Sequence, residues 1–179
     1  MRVGIDVRVA IASDAKVIAR IAAATFPLAC PPGLPAADVA AFTAQNLSEE
    51  KFCDYLADPA RMLLLASADG KPAGYSMLIF EQPHDDDVRS AITARPTVEL
   101  NKFFVLGEQH GRGLAGALMA ATLETAPSRG AHGLWLGVSG DNARANRFYE
   151  KHGFRLCGTK GFTVGSRHFE NDFVRERML

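Results

Sequence analysis

The chain has 179 residues, which suits one domain (1–179) with a substantial core, and its 20 basic residues cancel its 20 acidic ones. No overall field therefore points to nucleic acid or a membrane surface, and no apolar run approaches the ~18 residues of a membrane span. Cys30, Cys53 and Cys157 are too scattered for a disulfide framework and show no zinc-ligand spacing with the five histidines, so no metal is expected.

Residues 5–11 alternate Ile, Val, Val, Ile with Asp6, Arg8 and Ala10, the period of a half-buried strand. Ser13 and Asp14 are N-cap residues for a helix to about Phe26, with Val17, Ile18 and Ile21 on its inner face. The proline-rich stretch 30–35 is a loop. Residues 36–47 and 48–56 read as two helices, the second capped by Ser48. Phe42, Phe52 and Tyr55 either pack on the sheet or line an acceptor pocket. Apolar runs at 62–68 and 73–80, joined by Asp69-Gly70-Lys71-Pro72, predict a hairpin. Residues 81–96 read as a polar loop, in which Asp85, Asp86 and Asp87 are either solvated or a lure for a cationic amine.

Residues 98–106 form an aromatic and β-branched strand, and a run of Ala, Leu, Met and Glu reads as a helix until Pro127 stops it. Between them lies a turn with glycines at 107, 111, 113 and 116. Such a turn aims several backbone N–H groups at one spot, where the helix dipole adds about half a positive charge. The fit is an anion, above all a phosphate. Gly111, Gly113 and Gly116 also spell the dinucleotide fingerprint G-x-G-x-x-G. That reading wants an acid about 20 residues on, where this chain has Leu136, and more strands than the remaining chain provides.

After a turn at 127–131, residues 133–138 read as a strand carrying Trp135, and Asp141 or Asn142 caps a helix to about His152 with Gly153 as its C′ residue. Strands at 154–157 and 170–178 close the chain, with a hairpin or loop at 158–168.

His110-Gly111-Arg112-Gly113-Leu114-Ala115, with Gly116, resembles the acetyl-CoA-binding segment of the Gcn5-related N-acetyltransferase (GNAT) superfamily, with His110 where that family has Arg or Gln. Asn142-Ala-Arg-Ala-Asn-Arg-Phe148-Tyr149, followed by Gly153-Phe154, resembles the family's second motif. The two occur in the family's order with a strand between them, and the resemblance covers nearly the whole chain. It implies an α/β (α+β) fold: a mixed, mostly antiparallel twisted sheet of six to seven strands flanked by four to five helices. It also implies acetyl transfer from acetyl-CoA to a primary amine of a small molecule or peptide, and often a homodimer through late strands. A cytoplasmic location is expected separately, from an N-terminus without a signal-peptide pattern and the lack of a membrane-length apolar run.

By the same resemblance Phe103, Phe104 and Val105 line the pantetheine, and a main-chain N–H near Val105 donates to the thioester carbonyl. Asn142 belongs to the cofactor site, and Tyr149 supplies a proton to the departing thiolate. Glu99 is the candidate base, through water or by holding the cation; its alternative is a structural or solvent-facing role. Six residues before Val105, it shares that residue's face if no bulge intervenes. Arg112, Arg144, Arg147 and Lys151 are candidates for the 3′-phosphate or solvated charges. Within the family, Trp135-Leu-Gly-Val138, Phe148-Tyr149 and the strand 99–105 are most similar to spermidine- and spermine-type acetyltransferases. That subgroup has Trp-Glu where this chain has Ser139-Gly140, and a histidine near Lys160. Two rival expectations are a non-catalytic CoA-binding sensor and a nucleotide-dependent oxidoreductase.

Overall fold

The computed structural model describes residues 3–179. Seven strands make one sheet in the order β1-β2-β3-β4-β5-β7-β6: β1 (Ile5–Val9), β2 (Arg61–Ala68), β3 (Lys71–Ile79), β4 (Thr97–Val105), β5 (Gly133–Ser139), β6 (Arg155–Val164) and β7 (Arg167–Met178). Every neighbouring pair is antiparallel except β4 and β5. A parallel pair needs a long crossover; here it is helix α5 (Leu114–Thr125). With one parallel pair and no second βαβ unit among the described residues, the G-x-G-x-x-G run lacks the doubly wound setting a dinucleotide site requires.

Helices cover both faces of the sheet. On one lie α1 (Ala15–Ala29), α2 (Ala36–Asn46) and α3 (Glu49–Ala57), with α4 (Asp86–Ala91) further along; on the other lie α5 and α6 (Ala143–Lys151). Ile18, Ile21 and Phe52 pack with Leu63, Leu65, Tyr75 and Met77 on the first face. Leu114 and Leu118 of α5 pack with Leu64, Ala66 and Val105 on the second. Covered twice, β3 is buried from Ala73 to Ile79, which is why its sequence is a continuous apolar run.

Three expectations need correction. The acidic segment is not a plain loop but contains α4, which brings the helices of the described residues to six rather than four to five. Asp85 caps it, accepting from the N–H groups of Asp87 (2.8 Å) and Val88 (3.4 Å), and Asp86 pairs with Arg89. Val88 and Ile92, one helical turn apart, are driven down onto Trp135 and Val174. Secondly, α1 runs past Phe26 through Pro27 to Ala29, although an interior proline removes one helical hydrogen bond. Thirdly, the closing strands are longer than expected, and residues 158–168 belong to a β6–β7 hairpin whose register breaks beside Cys157 and Gly161.

Candidate active site

The site grows from the end of β4. Its last residue, Val105, leads into a 3₁₀ turn (Gly107–Gln109) and then the glycine turn, where Gly111 and Gly113 adopt φ of +75° and +88°. Gly113 is the N-cap of α5, and only a residue free of a Cβ penalty takes that left-handed conformation without strain. The first bond of the helix is Ala117 N–H to Gly113 O. The amides of Leu114, Ala115 and Gly116 thus have no helical acceptor and project from the N-terminus. No atom lies within 4 Å of where a Cβ would stand at Gly111 or Gly116, so open space faces these amides. Unpaired amides at a helix N-terminus, with the helix dipole behind them, have the form of an anion cradle. His110 ties the turn to the strand, its Nε2 donating to the Val105 carbonyl at 3.1 Å.

The second part of the site is a gap in the sheet. β4 and β5 pair only at Thr97/Gly133, Val98/Leu134 and Glu99/Trp135, and then diverge. Leu106 N–H bonds Ala73 O on the β3 side. Because backbone polar groups alternate along a strand, those of Val105 and Phe103 point the other way, into the gap. The resulting cleft of about 700 Å³ passes through the sheet. On the α5–α6 face its walls include Phe103, Val105, His110, Ala115, Asn142 and Tyr149; on the α1–α2 face they include Phe26, Phe42, Lys102, Phe104 and Phe162. Gly111, Arg112, Gly113, Leu114 and Gly116 belong to the adjoining turn rather than the cleft wall. Of the four cations proposed for a 3′-phosphate, Arg144 lines the cleft.

Tyr149 is set by both ends of α6. At the start, Asn142 Oδ1 accepts from Ala145 N–H at 3.1 Å, an N-cap that commits this oxygen to the backbone. At the end, Gly153 N–H bonds Glu150 O and Phe154 N–H bonds Tyr149 O, a Schellman close that lays Phe154 against the tyrosine ring at 5.7 Å. Phe103 (6.3 Å) and Phe148 (5.7 Å) complete the ring's surroundings. Burial raises the Tyr149 pKa above the usual phenol value, so the group stays protonated at neutral pH.

The helix is locked to the sheet by residues that the sequence reading did not single out. Arg175, 2 % exposed, donates to Asn146 Oδ1 (2.8 Å), Phe154 O (3.3 Å) and Glu150 Oε1 (2.9 Å). Asn146 donates in turn to Ser139 O and Asn142 O. A buried guanidinium with all its partners is costly to break by removing either side. Asn146 sits one turn beyond Asn142, but nothing in sequence connects it to a residue 29 positions later.

Glu99 lies elsewhere than its spacing implied. A bulge opens between Met77/Lys102 and Leu78/Leu100, leaving Asn101 unpaired. Val98 and Leu100 precede it on the α5–α6 face, and Phe103 and Val105 follow on that same face. Glu99 therefore falls on the opposite face from Val105, with Lys102 and Phe104. Its carboxylate accepts from Asn101 Nδ2 at 2.8 Å, and it does not line the cleft. Burial raises its pKa, opposed by the Asn101 bond and by Lys160, Lys102 and Arg61. Lys102, which does line the cleft, is pushed down to about 8, first by burial and then by Arg61, with Glu99 opposing. Its sequence signal was a lone cation directly before Phe103 and Phe104 on a central strand.

With this geometry, an acetyl-CoA-type ligand has a phosphate cradle, a strand edge and a phenol in sequence along one cleft. The profile of the Acetyltransferase (GNAT) family matches residues 23–154. The chain belongs to that family and is an N-acetyltransferase. Among its relatives, an uncharacterized N-acetyltransferase of Mycobacterium tuberculosis is 45% identical over 167 residues, 93% of this chain and 99% of that one. Streptothricin acetyltransferase of Streptomyces lavendulae is 32% identical over 99 residues, 55% of this chain and 47% of that one. The crystal structure of PaiA N-acetyltransferase from Thermoplasma acidophilum in complex with coenzyme A shares the fold, with a TM-score of 0.76 at 17% identity over 98% of this chain and 99% of that one.

Proposed function

We propose that this enzyme transfers the acetyl group of acetyl-CoA to the primary amine of a small molecule, with the amides at the head of α5 holding the diphosphate. The observation that carries this reading is the alignment of those amides with the β4–β5 gap and Tyr149. The pantetheine arm pairs with the exposed edge of β4 beside Phe103, Phe104 and Val105, and Val105 N–H faces the place where carbonyl charge develops. His110 already uses the Val105 carbonyl, so it holds the edge and the cradle at a constant separation.

Attack by the amine on the thioester forms the amide C–N bond and breaks the C–S bond. The amine must first lose a proton, since its pKa of ~10 keeps it charged at neutral pH. The departing sulfur takes a hydrogen bond and then a proton from the Tyr149 side. Burial raises this phenol's pKa and so disfavours a lasting phenolate beside a thiolate of ordinary pKa ~8.5; the proton it gives the sulfur is replaced by the one the nitrogen loses as the amide forms. Glu99 lies off the cleft wall with its carboxylate bonded by Asn101 Nδ2 at 2.8 Å, so the amine's first proton goes to water rather than directly to Glu99.

A thermal-shift titration with acetyl-CoA, coenzyme A and NAD tests the first half of the reading, because a ligand of the folded state raises apparent stability. Release of free thiol against an amine panel tests the second. Stabilisation by acetyl-CoA and amine-dependent thiol release are expected. Stabilisation by NAD alone would overturn the reading, and acetyl-CoA binding without thiol release for any amine would leave a CoA-binding sensor.

A further inference from the structure

The charges around the acceptor end of the cleft are not those a polycation needs. Among the described residues that line the cleft, Asp172 is the one carboxylate, and it faces the Lys160 ammonium at 4.0 Å. The acidic run of residues 85–87 does not line it: Asp85 caps α4 and Asp86 holds Arg89. Glu99 is half-buried, its carboxylate bonded by Asn101, off the wall.

Against these stands Lys102, which emerges directly after the Asn101 bulge on the α1–α2 face of the cleft. No carboxylate of the described residues pairs with its ammonium. It lies over the Tyr55 ring, 5.5 Å from its centroid; the nearby Arg61, held by Asp58 at 3.0 Å, repels it, and Glu99 attracts it more weakly without pairing. A pKa of about 8 still leaves Lys102 mostly charged at neutral pH. A half-buried cation in this state is destabilised by lost hydration and relieved by any anion brought to it. A second ammonium placed there would add repulsion. Beyond Lys102, the stacked pair Phe26–Phe42 (4.7 Å) and Phe162, 6.1 Å from Phe42, give an apolar wall for the body of a small molecule.

We infer that the acceptor carries a carboxylate beside its amine, an amino-acid-like zwitterion rather than a bare di- or polyamine, and that Lys102 is the residue that selects it. The inference rests on the acetyl-transfer reading above. The carboxylate docks on the Lys102 ammonium, one residue before Phe103, so the neighbouring amine is held at the mouth of the β4–β5 gap. The chemistry is unchanged: the amine nitrogen gains the acetyl carbon, the sulfur leaves as the thiol, and the amine's proton goes to water.

The test uses matched substrates that differ only by the carboxylate: lysine against cadaverine, ornithine against putrescine, and phenylalanine against phenethylamine, with initial thiol release measured for the full chain. In the wild type, kcat/KM for the carboxylated member of at least one pair exceeds that of its partner by about ten- to a hundredfold, the usual worth of a hydrogen bond to a charged group. In Lys102→Met that ratio falls to near one through a higher KM for the carboxylated amine, while the acetyl-CoA thermal shift persists. Lys102→Gln serves as a second variant with a polar tip. The inference fails if cadaverine, putrescine and phenethylamine equal or outdo their partners, if Lys102→Met leaves the ratio intact, or if acetyl-CoA binds and no carboxylated member reacts. Absence of both acetyl-CoA stabilisation and thiol release would instead sink the acetyl-transfer reading itself.

Discussion

Replacing Tyr149 by Phe removes one oxygen and keeps the ring. The ring contacts are aromatic, with Phe103 at 6.3 Å, Phe148 at 5.7 Å and Phe154 at 5.7 Å, and phenylalanine preserves all three. Burial alone shifts this phenol's pKa, with no bonding partner acting on it, so its loss strands no donor or acceptor elsewhere. The folding change is therefore expected below about 1 kcal/mol. Catalysis is a different matter. Removing a positioned proton donor typically costs about 10²- to 10⁴-fold in rate, or about 3–5 kcal/mol of barrier. Steady-state thiol release with saturating acetyl-CoA should show that loss in kcat, with KM for acetyl-CoA little changed. Because the raised pKa keeps the phenol protonated, the deficit should be constant between about pH 6 and 9. A Tyr149→Phe enzyme within about threefold of wild-type kcat would remove the hydroxyl from the reaction. An equal fall in melting temperature and activity would make Tyr149 a packing residue.

Two further outcomes follow from the cradle and from the buried lysine. Gly116→Ala adds a methyl where no protein atom lies within 4 Å, so the unliganded helix should gain about 0.5–1 kcal/mol while the thermal shift produced by acetyl-CoA shrinks. An undiminished shift would place the diphosphate elsewhere. Lys102 has a folded-state pKa of about 8 against 10.5 in the unfolded chain, so below pH 8 the native state carries the full cost of its buried charge. Between pH 8 and 10 the unfolded chain binds more protons than the native one, and that cost is relieved as pH rises. Urea denaturation of Lys102→Met should accordingly show an advantage over wild type of about 1–2 kcal/mol at pH 7 that disappears toward pH 10. An advantage that widens with pH would refute the assignment.

Much of this was legible in the chain because the informative residues are local. The strand, glycine turn and helix around residues 98–126 are contiguous, and each states its backbone role through its own chemistry. Asn142 and Gly153 likewise announce the two ends of α6. What escaped the reading is non-local or turns on a single inserted residue. The bulge at Asn101 reverses the face of everything before it, and so moved Glu99 across the sheet. Its trace is there afterwards: the inward apolar positions 98 and 100 are even, 103 and 105 odd. The α4 segment hid behind three aspartates because charge dominated a window in which Val88 and Ile92 decide the outcome. The Arg175–Asn146 lock joins residues 29 apart, and no pattern in one sequence links them.

The seam between β4 and β5 has a consequence for the whole molecule. Within the sheet only three rungs pair a four-stranded half with a three-stranded half, and along the remaining length each border strand offers main-chain groups that its neighbour does not take up. A thread-like ligand laid along that edge does for the sheet what an eighth strand would. Under the proposed placement, loading the co-substrate and closing the seam are one event.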